Sequence, residues 1–557
     1  MLTESSRKYL GVTVLIAAFF VTVTVSPRGS LDPINLPKLC ALIGLGSIAL
    51  GILGANYKIF MLKSYRVPLL LLLFFSTQAL IVFLIDDRDL GLKSYGVFGR
   101  STGFLAYFFL TVLLLSTMFL GSQQFARRLT LLFIGTGSLL TIYGLIQKQG
   151  FDLYKFENLY GTNVFGTLGN PNFHSALMGM TASALFFYGI FGALKISVRA
   201  FLFLIGFLAL WNIRMSSEQG YLVFLASLSS GFIVYFFMKR KLLLAWLMLS
   251  ASIIGGLLVG LALFNLGPAS KLIYGSSIET RGFYWRAAVN LISEHPFFGV
   301  GFDAYGDWYR RGRTQEIADS NVSISADSAH NIPLDIGVSG GLPLLLAYLG
   351  IQVLVLVLIV RTIRKSSEFN IYFVLAIIIW TGFQIQSLIS INSLGVGIWG
   401  WVMSGLLIGY CIWVDTTLDN TQPQTKKKPI KNDSGGNWQQ VSLMVISGAV
   451  GAAVAFAPYR AASNFLSALK TQNVETIVAS ASLKPFDRYR FLYVADILSQ
   501  NQKFPDVLTL LNQGASLFPD SYEIWRQISI NPSSTQEQVD IARSQLKRLD
   551  PYNPEWK

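Results

Sequence analysis

Apolar residues in this chain gather into long unbroken runs, not into the period-two or period-3.6 stripes of half-buried strands and surface helices. Runs of about 20 residues, enough to cross a hydrocarbon core about 30 Å thick, recur at 9–26, 39–55, 67–85, 102–121, 129–147, 173–193, 199–213, 220–238, 243–264, 342–360, 371–390, 394–414 and 439–458. They predict an all-α polytopic membrane protein of about 12–13 transmembrane helices, with 39–55 and 199–213 the shortest spans.

The polar segments between the runs alternate in charge. Arg7 and Lys8, then Lys58, Lys63 and Arg66, then Arg127 and Arg128, then Lys195 and Arg199 occupy every second loop. The series continues with Lys239, Arg240 and Lys241, with Arg361, Arg364 and Lys365, and with Lys426, Lys427, Lys428 and Lys431. Short cytoplasmic loops retain Lys and Arg, so the N-terminus is expected inside. Three polar segments then fall on the outer face, at about 86–101, 149–172 and 265–330. The third is too long and too charged for a connector, and ordered loops of that size are commonly functional.

From 459 onward the composition becomes that of a soluble segment. Leu483-Lys-Pro-Phe-Asp487, Leu517-Phe-Pro-Asp520 and Leu549-Asp-Pro-Tyr-Asn553 end three helical patterns, and the spacing near 34 residues resembles tetratricopeptide repeats. Two or three such repeats are marginal alone, so this outer-face α-helical tail is expected to dock on the membrane domain or a protein partner. The expected division is 1–414 for the membrane domain, with 265–341 as its outer catalytic loop and re-entrant segment. A basic linker at 415–438, a last span at 439–458 and the tail at 459–557 complete it.

Composition agrees and excludes some classes. Of 557 residues 52% are hydrophobic and only 13% charged, where a soluble domain has roughly 25% charged. The formal net charge of +14 follows from the basic loops; no basic face interleaved with aromatics suggests nucleic acid. The cluster from Lys426 to Lys431 is read as topogenic, with contact to anionic lipid as the alternative. The first span lacks a small-residue cleavage site and is read as an uncleaved anchor. Cys40 and Cys411 lie inside spans as small hydrophobes, with no disulfide or metal framework implied.

Candidate chemistry concentrates where the long outer loop re-enters the membrane. His330, one of three histidines, has an ordinary pKa near neutrality and suits a general base or a hydrogen-bond donor to developing charge. The alternative is a capping or core histidine. Asn331, Leu334 and the break at Gly337-Val-Ser-Gly-Gly341 suggest a short re-entrant helix, tolerated only where it is buried or lines a cavity. Upstream, Arg281 and Trp285 share a helix face at i, i+4, while Arg286 points elsewhere. A guanidinium stacked on an indole suits a phosphate; in the alternative the two arginines snorkel or pair with Glu294. Asp335 is the one ionisable residue near a span that a transporter reading would seize on.

These residues resemble a known family. His330-Asn-Ile-Pro-Leu334 followed by Gly340-Gly341 is similar to the H-N-x-x-L…G signature of the O-antigen ligase and O-antigen polymerase superfamily. Arg281-Gly-Phe-Tyr-Trp285 with His295-Pro-Phe-Phe-Gly-Val-Gly301, Gly166-Thr-Leu-Gly-Asn-Pro-Asn172, and Gly96-Val-Phe-Gly-Arg100 before Ser101-Thr-Gly-Phe104 resemble its other motifs, in order, over about 90–415. The resemblance implies a bacterial inner-membrane enzyme that takes a glycan from undecaprenyl-pyrophosphate on the outer face, without metal, nucleotide or other cofactor. The acceptor would be a glycan, a lipopolysaccharide core or a protein hydroxyl, with the tail favouring polymerisation. By the same resemblance Arg281 holds the pyrophosphate and His330 activates or orients the acceptor. Arg286, Trp285, Asn331, Arg100 and Asn172 are further candidates for substrate binding.

One departure stands out. The family has an arginine where this chain has Gln219, in Met215-Ser-Ser-Glu-Gln-Gly220, and Arg214 is the nearest substitute. Glu218 there would oppose a pyrophosphate. Asn170-Pro171-Asn172 also reads as an ordinary helix cap, with His174 one turn on in a capping or core role. Arg88, Lys93 and Arg100 have Asp86, Asp87 and Asp89 as nearby partners.

Overall fold

The computed structural model describes residues 2–152, 161–273, 275–320, 322–365, 368–419 and 437–556. The cluster from Lys426 to Lys431, most of the expected linker at 415–438 and the middle of the 149–172 loop lie outside the described residues.

Helix is the only regular structure among the described residues, and 12 helices there are long and apolar enough to cross a membrane. A further apolar helix, Phe104–Leu120, occupies the fourth expected place with only 17 residues. The two shortest expected spans are full length. Asn35–Ala55 and Ile196–Ser216 each have 21 residues, because charged residues that interrupt the apolar run stay inside the helix. Lys38 is wholly buried, its Nζ donating to the carbonyls of Thr22 (2.8 Å) and Thr24 (2.9 Å).

Two elements depart from the expected division. The last long helix does not stop at 458: Asn437–Lys470 carries Pro458 inside it and runs 34 residues, so the apolar run marks only part of it. Ile332–Lys365 begins ten residues before the apolar run and bends at Gly340 (φ −136°, ψ 16°) and Gly341 (φ 71°, ψ −172°). A short helix after Asn331 is thereby set off from the long apolar one, at the end of the expected glycine break.

The polar loops meet at one end of the bundle. Arg88 donates to the carbonyl of Phe302 (2.7 Å), Asn35 to that of Gly99 (2.7 Å), and the Val164 N–H to that of Met215 (3.0 Å). The opposite end carries basic loops, where Asp415 pairs with Arg361 (3.2 Å) and Lys365 (2.9 Å). Cys40 donates to the carbonyl of Ala455 (3.1 Å) and Cys411 is buried, both as free thiols.

The tail is a stack of helices, Val474–Ala481, Arg488–Gln500, Phe504–Leu517, Tyr522–Ile530 and Gln536–Leu549, each packed on the next. Its core, including Phe491, Leu511 and Ile524, also takes in Leu92 of the 86–101 loop. The expected docking is onto the chain's own polar segments at 86–101 and 265–330: Arg313 pairs with Asp550, Arg311 with Asp520 and Arg488 with Asp307, and Phe98 stacks on Tyr489.

Candidate active site

The turn that presents His330 is built by Asp335 on the following helix. The Asp335 carboxylate accepts the Ser328 hydroxyl (2.7 Å) at Oδ2 and the Ala329 N–H (2.8 Å) at Oδ1, while Ser328 Oγ accepts the His330 N–H (3.0 Å). His330 is held at φ 52°, a left-handed conformation uncommon outside glycine and concentrated at functional sites. Asp335 is therefore engaged in shaping this loop. Asn331 caps the helix, its Oδ1 accepting the Leu334 N–H (3.0 Å) and its Nδ2 donating to the carbonyl of Leu388 (2.9 Å).

Helix Ser276–Glu294 faces this turn. The Tyr284 ring lies over the imidazole, with centroids 5.5 Å apart and planes at 30°, and its carbonyl accepts the Tyr305 hydroxyl (2.8 Å). One turn earlier, Arg281 is half-buried and makes no hydrogen bond, ion pair or cation–π contact among the described residues. Burial lowers its pKa from the usual guanidinium value. His330 responds to the same surroundings: burial first, then the Arg281 charge, lower the imidazole to about 4 against a smaller opposing pull from Asp327. At neutral pH it is an uncharged acceptor beside an unpaired cation.

Arg100 lies behind the loop. Its guanidinium is buried, 3.2 Å from the Asp303 carboxylate and 3.6 Å from the more exposed Asp327. Burial alone would lower its pKa, but Asp327, Asp303 and Asp335 together hold it above the usual value. The carboxylates at 86–89 are not its partners; Asp86 takes Arg88 instead (2.6 Å). Asp303 also accepts the Val97 N–H (2.9 Å), tying the 96–104 motif to the His330 loop.

Trp285 corrects the expected stack on Arg281. Its ring packs on Phe264 (5.9 Å), and its buried Nε1 has no partner among the described residues. Arg286 pairs with Glu316 (3.4 Å), not with Glu294, and both side chains are exposed. Trp285, Arg286 and Asn331 instead line one cleft of about 1070 Å³, together with Leu345, Leu349 and Leu388. Its lining is mostly apolar, and it opens beside the turn that carries His330.

The segment His295–Gly301 explains its glycines. It lies backbone to backbone on the helix bend: Val300 N–H donates to Val338 (2.8 Å), Gly301 N–H to Ser339 (3.1 Å), and Leu342 N–H to Pro296 (2.7 Å). A Cβ on Gly299 (φ 63°) would stand 2.2 Å from the Val338 carbonyl oxygen.

The remaining candidates stand apart from Arg281 and His330. Arg214 pairs with Glu218 at the surface (3.2 Å). Gln219 donates to Gln386 (2.5 Å), two residues before the Leu388 carbonyl that holds Asn331. Asn170 caps the helix starting at Pro171, accepting the Asn172 N–H (2.8 Å). The Asn172 side chain makes no hydrogen bond among the described residues. His174 is wholly buried against Asn212 (3.2 Å), a core role. Sequence reasoning passed over Tyr284, Asp303 and Asp327; the i, i+3 spacing of Arg281 and Tyr284, and Asp327 three residues before His330, were the available signals. Among the described residues no three His, Cys, Asp or Glu side chains form a candidate metal-ligand set.

The fold and this cluster define a multi-span helical membrane protein with one polar, cleft-bearing end. Over residues 184–349 the chain is similar to the O-antigen ligase family, a stretch that contains Arg281, the glycine segment, His330 and the bend. No curated protein matches the chain.

Proposed function

We propose that the protein is a membrane glycosyltransferase of the O-antigen ligase and polymerase kind, moving a glycan from undecaprenyl-pyrophosphate to an acceptor hydroxyl. The observation that carries this reading is an unpaired Arg281 and an uncharged His330, each next in sequence to a residue, Gly282 or Asn331, that lines a large, mostly apolar cleft. A lipid carrier needs an apolar channel ending at a cation, and an acceptor hydroxyl needs a neutral base; these residues supply both. The polyprenyl chain lies in the cleft between Phe264 and Leu349, with its pyrophosphate at Arg281. His330 takes the acceptor proton as the acceptor oxygen bonds to the anomeric carbon. The bond from that carbon to phosphate oxygen breaks, and the pyrophosphate leaves with the electron pair against Arg281. Basic residues at the opposite end orient the His330 end to the outer side of a bacterial inner membrane. The repeat-like tail favours polymerisation over ligation by analogy of fold.

The test is transfer by the purified protein in lipid, from undecaprenyl-pyrophosphate glycan to candidate acceptors, without added metal. Product that depends on His330 and Arg281 is expected. Glycan-length ladders on the carrier support a polymerase, and single transfer to lipopolysaccharide core a ligase. No transfer to any acceptor, or an absolute divalent-metal requirement, defeats the mechanism.

A further inference from the structure

At the basic end of the bundle, a cavity of about 600 Å³ lies between the turns Tyr57–Met61 and Lys63–Tyr65, helix Arg66–Ile85 and Leu115 of helix Phe104–Leu120. That volume falls within the roughly 300–1,000 Å³ common for small-molecule sites. Along the helix the cavity reaches from Arg66 to Ser76, about 15 Å at the rise of an α-helix. Its walls are mostly apolar, with Leu70 and Leu73 exposed, and two cations, Lys63 and Arg66, line the end where the helix starts.

Neither cation is met within the chain. Lys63 and Arg66 make no ion pair, side-chain hydrogen bond or cation–π contact among the described residues, and no Asp or Glu stands between Asp32 and Asp86 in the sequence. Four other basic residues at this end are engaged: Asp415 pairs with Arg361 and Lys365, and Arg127 and Lys239 lie over the rings of Tyr372 (5.9 Å) and Phe369 (5.4 Å). The bias of short loops towards Lys and Arg accounts for positive charge on this side of the membrane. It does not account for two unpaired cations on one apolar cavity. The helix start adds to the imbalance, since no side chain caps the helix that begins at Arg66. Its first N–H groups carry partial positive charge, which opposes both cations and draws an anion.

The chemistry of the occupant is constrained from both sides. A free inorganic anion would meet the cations and leave the apolar walls uncovered. A neutral alkyl chain would cover the walls and leave the cations unmet, and a zwitterionic head would bring its own cation to the same place. A molecule with an anionic head and an alkyl chain satisfies both, and the leaflet at this end of the bundle supplies one. We propose that the cavity binds one anionic phospholipid, its phosphate between Lys63 and Arg66 and the start of an acyl chain along Leu69, Leu73 and Ser76, which share a helix face. The site lies at the opposite end of the bundle from Arg281 and His330 and does not rest on the glycan-transfer reading.

Native mass spectrometry tests it on the full-length protein, stripped of lipid in detergent and titrated with phosphatidylglycerol or with phosphatidylcholine of the same acyl chains. One phosphatidylglycerol is expected to bind at least about tenfold more tightly than phosphatidylcholine, since each basic residue facing anionic lipid contributes about fivefold. Lys63→Gln and Arg66→Gln should each weaken it about fivefold, and both side chains are exposed, so the fold should tolerate the change. Lys58→Gln, in the same loop but outside the cavity, should leave binding unchanged. Ser76→Phe fills the far end with both cations kept and should also weaken phosphatidylglycerol. Equal affinity for the two lipids, binding untouched when Lys63→Gln and Arg66→Gln are combined, or a loss in Lys58→Gln as large as in Lys63→Gln overturns the assignment. So does a dimer that Ser76→Phe separates, which would give the groove to a second copy of the chain.

Discussion

Arg313 and Asp550 lie 237 residues apart and meet through two hydrogen bonds of 2.8 Å, with both side chains wholly out of solvent. The same guanidinium donates through Nη1 to the carbonyl of Val322 (2.9 Å), five residues before Asp327. The last turn of the tail thus grips the segment that leads into the His330 turn. Removing one partner of a buried pair strands a charge and costs about 3–5 kcal/mol, whereas replacing both by apolar residues costs far less. Asp550→Ala should therefore lower the melting temperature in detergent and reduce transfer together, and Arg313→Met with Asp550→Leu should recover most of the stability. Additive losses in this double-mutant cycle would show that the pair does not act as one unit.

Arg281 should behave as a donor-site residue. Removing one preorganised charge-stabilising group typically costs about 10²–10³ in rate, so Arg281→Ala should lower kcat by that amount, with Arg281→Lys retaining part of the activity. Arg286→Ala should cost much less, because Arg286 is exposed and already paired with Glu316. Steady-state kinetics on lipid-linked donor would separate them, and equal losses at 281 and 286 would contradict the assignment.

The pH profile should carry the mark of His330. A base must be deprotonated, so activity is lost as pH falls through its pKa; in the free enzyme that value is about 4, and kcat/KM reports the free enzyme. Its acid limb should lie near 4. Donor pyrophosphate beside Arg281 offsets a charge that helps hold the imidazole down, so the limb in kcat should lie higher. Stability has the same sign: the folded value lies below the unfolded one of about 6.5, so stability present above about 6.5 is lost as pH drops towards 4. A kcat/KM limb at or above 6.5 would remove His330 from this role.

Much of the architecture could be read directly from apolar runs, because a bilayer imposes span length whatever the packing. The run ends misled where a charged group is satisfied inside the protein, as with Lys38, or where a helix continues through Pro458 as a polar rod. The site divided in the same way. His330 stood out as a titratable group at a boundary, and Arg281 by its motif. Helical spacing put Trp285 beside Arg281, but the indole packs on Phe264, just past the end of the preceding long helix, which no local pattern could show. The partners of Arg100 came from 303 and 327, more than 200 positions along the chain, where no local pattern could find them.

The seam between the glycine segment and the helix bend sets where the His330 helix points, and it depends on absent side chains. At Gly341 the backbone has φ 71° and ψ −172°, and a Cβ would stand 2.5 Å from the Pro296 carbonyl oxygen. At Gly299 the Cβ would meet Val338 at 2.2 Å. Strain of this kind costs about 1–3 kcal/mol before any clash, and an alanine where φ is positive destabilises further. Gly341→Ala and Gly299→Ala should each lower the melting temperature and transfer, since relief of the clash must part the strand-like contacts of Val300 and Gly301. Gln78 braces the same seam, donating to the carbonyls of Phe297 (2.7 Å) and Gly340 (3.3 Å). Its change to Leu leaves two acceptors unmet and should produce a milder loss. Gly255, with open space where its Cβ would go, is the control and should accept alanine without effect. Thermal unfolding of the four variants in one detergent, beside their transfer rates, decides the matter: if Gly341→Ala melts and turns over like Gly255→Ala, the bend does not position His330.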